Sequence, residues 1–283
     1  VRRIAIFLLA VPLLLAAPPS RIVSTAPSIT ESLFALGLGG RVVGVSTYCH
    51  YPPETASLPK VGTYLRPNVE RIAGLKPDLV ILLKQPQGVE EQLRRIALPV
   101  LLVEHGDLER MFAAIGAIGE AAGVAARARE LTGRIRARLD EIQARTRNRP
   151  RRSLLFVVGR TPGRLEGLIA VGRGSYLNAI IDIAGGRNVL ADSPVDYPKI
   201  SLETVLARNP DVIVDMGEMA ETKGVTEERK QQVVALWRQR SSLQAVAAGR
   251  VYAVASDIFV VPGPRVVEAA EAFARMLHPE AGW

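Results

Sequence analysis

The sequence predicts an α/β protein of two lobes joined by one long helix, and three observations carry that prediction. From Arg21 onward short β-branched runs alternate with longer amphipathic stretches, the pattern of parallel strands linked by helices. A segment of the first half recurs without a gap in the second. Between the halves lies a single long stretch of helical periodicity that contains no proline.

In the first half, strands are expected at Ile22 to Ser24, Val42 to Val45, Leu79 to Leu83 and Val100 to Val103. Helices are expected at Ile29 to Leu36, Val69 to Leu75 and Val89 to Ile96. After Pro150 the series restarts, with strands at Leu154 to Val158, Val189 to Leu190, Val212 to Val214 and Val251 to Val254. Helices there fall at Tyr176 to Ala184, Leu202 to Ala207, Lys230 to Trp237 and Arg265 to Leu277. The joining stretch runs from Ala125 to Asn148 with Gly133 as its only glycine, and Leu131, Ile135, Leu139 and Ile142 form one apolar stripe. Such a helix would extend roughly 36 Å and resist hinge bending. The expected organisation is a lobe over residues 21–124, the backbone helix over 125–149 and a second lobe over 150–283.

The repeat pairs Asn68 to Ile81 with Ser201 to Val214, matching at Glu, Pro, Asp and the apolar positions. In each copy a polar residue caps a short helix, Pro77 or Pro210 stops it, and Asp78 or Asp211 turns the chain into a buried strand. A second echo pairs Gly39-Gly40-Arg41-Val42-Val43 with Gly185-Gly186-Arg187-Asn188-Val189. Glu70 and Glu203 stand in the first turn of their helices, where the dipole favours a carboxylate that core packing does not need. The residues alone leave simple capping and a surface contact both open.

Composition narrows the class. At 283 residues, 48% hydrophobic and 23% charged, the chain buries enough surface to fold. The net charge of +8 comes from basic residues spread along the chain, with no nucleic-acid motif among them. Arg2 and Arg3 followed by the apolar run Ile4 to Ala17 predict a secretory signal over residues 1–20, since the run is too short to span a bilayer. A retained amino-terminal anchor is the alternative. No Cys lies near the expected cut, so a soluble exported protein is expected rather than a lipoprotein. Cys49 is the only cysteine, which excludes an intramolecular disulfide and a cysteine-based zinc site.

Catalytic signatures are missing. His50, His105 and His278 show no metal-ligand spacing, and there is neither a G-x-S-x-G elbow nor a P-loop. Leu36-Gly-Leu-Gly-Gly40 follows a helix where a dinucleotide fingerprint should open one. Cys49 and His50 are adjacent and point apart as a nucleophile pair would not. The polar aromatics say more. Tyr48 and Tyr51 follow the Val42 to Val45 strand, Tyr64 sits in the Gly62 to Pro67 loop, and Tyr197 precedes Pro198 in the matching part of the other lobe. In open α/β sheets ligands collect beyond the carboxyl ends of the strands, so a cleft walled by phenol rings would suit a large, partly flat, polar-edged molecule.

At Val45-Ser-Thr-Tyr-Cys-His-Tyr-Pro-Pro-Glu54, Leu58-Pro-Lys-Val-Gly62, Asn68-Val-Glu-Arg-Ile72 and Lys76-Pro-Asp-Leu-Val-Ile81, the chain resembles periplasmic binding proteins of cobalamin, haem and iron-siderophore ABC importers. The likeness continues through Ala184-Gly-Gly-Arg-Asn-Val189, Ile200 to Val214 and Gly249-Arg-Val-Tyr-Ala253, and leans toward the cobalamin-binding branch through Tyr-x-x-Tyr-Pro-Pro. It implies two Rossmann-like lobes bridged by one helix, with a corrinoid such as cobalamin held in the cleft of a monomer that does no chemistry and has no catalytic metal. It also implies that Glu70 and Glu203 dock on the transmembrane permease dimer of an ABC importer. The matching cleft positions are Tyr48, Tyr64 and Tyr197, with Asp257 and Phe259. Two family Trp are Tyr here, which leaves haem or a ferric siderophore open because a tyrosinate can ligate iron. Lys84 and Gln85 fit either the ligand's edge or a solvated loop, and His50 is a candidate cobalt or iron ligand. A secreted two-lobed metal-dependent enzyme is the rival from another class.

Overall fold

The computed structural model describes residues 17–84, 88–104, 106–217 and 225–283. The expected secretory signal falls almost wholly outside these residues, as do Gln85 and His105. No helix among the described residues is long and apolar enough to cross a membrane.

The first sheet holds β1 (Ile22–Ser24), β2 (Val42–Val45), β3 (Leu79–Leu83) and β4 (Val100–Val103), all parallel, in the order β2-β1-β3-β4. Every residue of β3, Leu-Val-Ile-Leu-Leu, is buried, as a parallel strand covered on both faces should be. The covering helices are α1 (Pro27–Ala35), α2 (Val69–Gly74), α3 (Val89–Arg95) and α4 (Leu108–Ala121). The next element is α5 (Ala125–Thr146), whose expected stripe of Leu131, Ile135, Leu139 and Ile142 is buried.

The second sheet comprises β5 (Ser153–Gly159), β6 (Leu168–Ala170), β7 (Arg187–Asn188), β8 (Lys199–Ile200), β9 (Val212–Asp215) and β10 (Val251–Ala253). Its order is β10-β9-β5-β6-β8, with β7 paired to the start of β5. The β5–β9 and β9–β10 pairs are parallel, while β5–β6 and β6–β8 are antiparallel. Helices α6 (Tyr176–Ile183), α7 (Leu202–Arg208), α8 (Glu227–Arg238), α9 (Gln244–Ala247) and α10 (Val266–Leu277) complete this half.

Two expected elements shift. The strand expected at Val189 to Leu190 lies earlier, at Arg187–Asn188, because the Asn188 amide donates to the Val171 carbonyl at 3.0 Å and its oxygen accepts from the Leu190 N–H at 3.0 Å, which turns the chain. Helix α8 starts at Glu227, since the Thr226 hydroxyl caps the Arg229 N–H and two glutamates occupy the first turn. The short strands β6 and β8 and the helices α4 and α9 add to what the sequence predicted.

The repeat has a structural counterpart. Asp78 accepts from the backbone N–H groups of Ser20 and Arg21 at 2.8 Å each, and Asp211 accepts from the Ser153 N–H at 2.8 Å and its hydroxyl at 2.7 Å. These aspartates do more than turn the chain. Each ties the entrance of the first strand of its sheet, β1 or β5, to the strand beside it, β3 or β9.

The outward faces of the sheets have separate cores, Val23, Val80 and Leu93 in one and Leu155, Ile213 and Trp237 in the other. The inward faces share one. Ile22, Ile29, Leu33 and Ile81 of the first lobe run without a break through Ile135 and Leu139 of α5 to Phe156, Phe259 and Phe273 of the second. The two lobes are therefore fused along a common apolar layer, with α5 packed on α4 from one side and on α6 and α10 from the other.

Candidate functional site

The site is built on the loops that leave the carboxyl ends of the strands. After β2 the chain is drawn back beside itself, with the Thr47 N–H donating to the Gly62 carbonyl at 2.8 Å and the Asn68 N–H to the Val61 carbonyl at 2.8 Å. Gly62 has φ +98°, and a Cβ there would lie 2.6 Å from the Arg66 carbonyl oxygen, so only glycine permits this narrow loop. Its tip carries Tyr64. The Tyr48 and Tyr64 rings meet with centroids 5.8 Å apart and planes at 60°, both partly open to solvent at 44% and 36% exposure.

Tyr197 comes from the other lobe. Its hydroxyl accepts from the Ser175 hydroxyl at 3.2 Å, and Ser175 in turn caps α6 by accepting from the Leu177 N–H at 3.3 Å. Burial pushes the Tyr197 phenol up, and Asp196 and Tyr64 add to the rise. The Tyr176 hydroxyl of α6 is buried with no hydrogen-bond partner among the described residues, and its ionisation is pushed well above the ordinary range by that burial.

The remaining residues expected at the cleft divide. Asp257 is half-buried and accepts from Arg265 at 3.0 Å. Lys84 is exposed, and its ammonium pairs with Glu104 at 2.7 Å, which raises its ionisation. His50 is exposed on the same loop as Tyr48. Phe259 departs from expectation. At 3% exposure its ring packs edge-on against Phe156 and Phe273, with centroids 5.7 and 5.3 Å away, so it supports the Asp257 turn from below and offers no face to a guest. Cys49 is also closed off, because burial pushes its thiol up to about 11.

The sequence did not reveal Glu31 and Arg265, which pair across the lobes at 3.0 and 2.5 Å, or the Tyr51 ring that lies 3.9 Å beneath the Arg265 guanidinium carbon. A signal existed: Glu31 is the one ionisable residue of α1, within a run buried from Ser28 to Leu33. Asp215 is the comparable case in the second lobe, buried and bound to Arg160 at 2.9 Å and to the Trp237 N–H at 2.6 Å. Beside it a separate cavity of about 210 Å³ is lined wholly by second-lobe residues, among them Arg160, Met216 and Ala253. No group of three or more metal-ligating side chains occurs among the described residues.

The sequence matches the periplasmic binding protein family over residues 22–258. An uncharacterized ABC transporter substrate-binding lipoprotein of Bacillus subtilis (strain 168) is 32% identical over 93% of this chain and 81% of its own length. A vitamin B12-binding protein of Vibrio cholerae is 31% identical over 94% of this chain and 92% of its own. Among solved structures, the periplasmic heme-binding protein RhuT from Roseiflexus sp. RS-1 in apo form is similar with a TM-score of 0.78 and 27% identity, over 93% of this chain and 99% of that one. With two fused α/β lobes and a match running nearly end to end, the chain belongs to the periplasmic binding protein family and is a substrate-binding protein of an ABC importer, not an enzyme.

Proposed function

We propose that this protein captures a corrinoid such as cobalamin between its lobes, outside the cytoplasm, and hands it as a monomer to the permease of its importer. One observation carries the reading: the Tyr48 and Tyr64 rings meet, partly open to solvent, beyond the carboxyl end of β2, and the same loop reaches the second lobe where Tyr51 lies 3.9 Å under Arg265, so that Tyr197 of that lobe supplies the facing phenol in this reading. Such rings give a bulky, flat-sided guest an apolar wall and hydroxyls for its polar edge. In this reading Asp257, His50 and Lys84 offer the guest polar contacts. The similarity to a vitamin B12-binding protein over nearly the whole chain supports this cargo.

A second reading keeps the class and makes the cargo haem or a ferric siderophore. It is favoured by Tyr64, an accessible phenol at the tip of a loop, and by the similarity to a heme-binding structure. The expected export of the mature chain after residue 20, and lobe limits near residues 124 and 150, belong to either reading.

Titrating the purified protein with cyanocobalamin, haemin and ferric chelates, while following visible absorbance and heat, tests both. Saturable one-to-one binding of cyanocobalamin is expected, weakened about tenfold or more by Tyr64→Ala, since truncating an aromatic anchor costs about 2 kcal/mol. Binding of haemin alone, with a Tyr64-dependent change in its spectrum, would move the cargo to haem. Binding of none of them would remove the cleft reading.

A further inference from the structure

Arg265 is the meeting point of the two lobes beside the proposed cleft. It precedes α10 in the second lobe, yet its Nε and Nη2 grip the Glu31 carboxylate of α1 in the first, at 3.0 Å and 2.5 Å. The same Nη2 lies 3.0 Å from Asp257 Oδ1, and the guanidinium plane covers the ring of Tyr51, which belongs to the same loop as Tyr48. One side chain therefore touches the α1 helix, the loop after β2 and the turn after β10. The approach is close: a Cβ at Gly263 would lie 3.2 Å from Glu31 Oε2, and Pro262 forms one wall with Ile29 and Met111 of the first lobe.

Glu31 is 4% exposed, and the Arg265 side chain is 13% exposed. Burial raises the Glu31 ionisation in spite of Arg265, and Asp257 and Glu268 push it the same way. An apolar pair of similar volume would hold the lobes together without that desolvation, so the ion pair is weak evidence for stability. What it supplies is geometry, because a planar fork engages a carboxylate in one register only.

We propose that Arg265 is a positioning residue for cargo capture: by clasping Glu31, Asp257 and Tyr51 together it fixes the separation of the lobes and so the width of the cleft. This rests on the reading that the guest lies between the lobes. It assigns to Arg265 no direct contact with the guest.

The test measures separation and affinity independently. Cysteines introduced at Gln92 on α3 and Ala207 on α7, both exposed, carry spin labels, while Cys49 is buried and stays unlabelled. Pulsed electron resonance then reads the distance distribution between lobes without any cargo. Arg265→Gln is expected to broaden or shift that distribution by several ångströms and to weaken cyanocobalamin or haemin binding at least tenfold. Arg265→Lys, which restores charge without the fork, should recover less than half of either effect. Should Arg265→Gln fail to fold, Glu31→Gln loosens the same clasp and is read in the same way.

An unchanged distribution in the substituted protein overturns the proposal. So does weakened binding at constant separation, which would make Arg265 a direct ligand contact. If the unsubstituted protein binds none of the probes, the cargo reading fails, and the distance measurement still decides whether Arg265 sets the separation.

Discussion

Asp211 receives the Ser153 amide and hydroxyl and returns its own N–H to the same hydroxyl at 3.0 Å, forming a closed knot at the start of β5. Burial alone would raise its ionisation, but the two hydrogen bonds from Ser153, together with the charges of Arg250 and Arg187, outweigh that and hold it below the ordinary 3.8. A depressed carboxylate stabilises the fold above its unfolded value, and the gain is lost as pH falls through the lower folded one. Asp211→Ala should therefore cost about 1–3 kcal/mol at neutral pH. In urea titrations the gap from the unsubstituted protein should close as pH drops below 3.8. A gap that persists in acid would show that the knot acts by packing. At this scale the sequence was legible where chemistry is local. Phenols on loops after strands could be picked out, and so could the capping residues Asn68 and Ser201, whose side chains do accept from Arg71 and Thr204. Glu31 and Arg265 could not be paired, because 234 residues separate them and no periodicity links α1 to the turn before α10.

Among the elements, the strands of the first lobe and the backbone helix were readable because each is an apolar run or stripe set off by a Gly, Pro or Asp. Helix α4 was not. Its buried residues Met111, Phe112, Ile115 and Ile118 have helical spacing, but Gly116 and Gly119 interrupt the signal. The two glycines differ in what surrounds them. A Cβ on Gly119 would come 2.4 Å from Ala128 Cβ on α5, whereas one on Gly116 would meet nothing within 4 Å among the described residues. Gly119→Ala is expected to destabilise by about 1–3 kcal/mol through overpacking where α4 meets the backbone helix. Gly116→Ala should stabilise by about 0.5–1 kcal/mol through helix propensity. Equal shifts of the two variants in thermal melts would contradict this account of how α4 seats on α5. The strands β6 and β8 escaped notice for another reason: they are short and antiparallel, and β8 holds only two residues.

For the whole molecule, the internal repeat gives the two lobes matching projections. Glu70 on α2 and Glu203 on α7 are both exposed, each in the first turn of a short capped helix, and the Ser201 hydroxyl lowers the ionisation of Glu203. A lone exposed carboxylate binds weakly, but two held on one body can orient a partner together, and we propose Glu70 and Glu203 as the contacts to the importer's permease. Reversing both charges, Glu70→Lys with Glu203→Lys, should leave cargo affinity within about twofold while importer-dependent uptake falls at least tenfold; normal uptake by the double variant would rule out docking at these sites. The repeat was legible because the Glu, Pro and Asp positions align without gaps. The fusion of the lobes was not, since a residue facing the shared layer looks the same in sequence as one facing an outer core.

That shared layer has a practical consequence. A chain that reads as a duplicated unit would be expected to come apart into halves, yet a break near Pro150 would strip Phe156 and Phe273 from one fragment's hydrocarbon face and Ile29 and Leu33 from the other's. Neither fragment could keep that face dry by itself. The molecule must therefore be engineered as one indivisible piece.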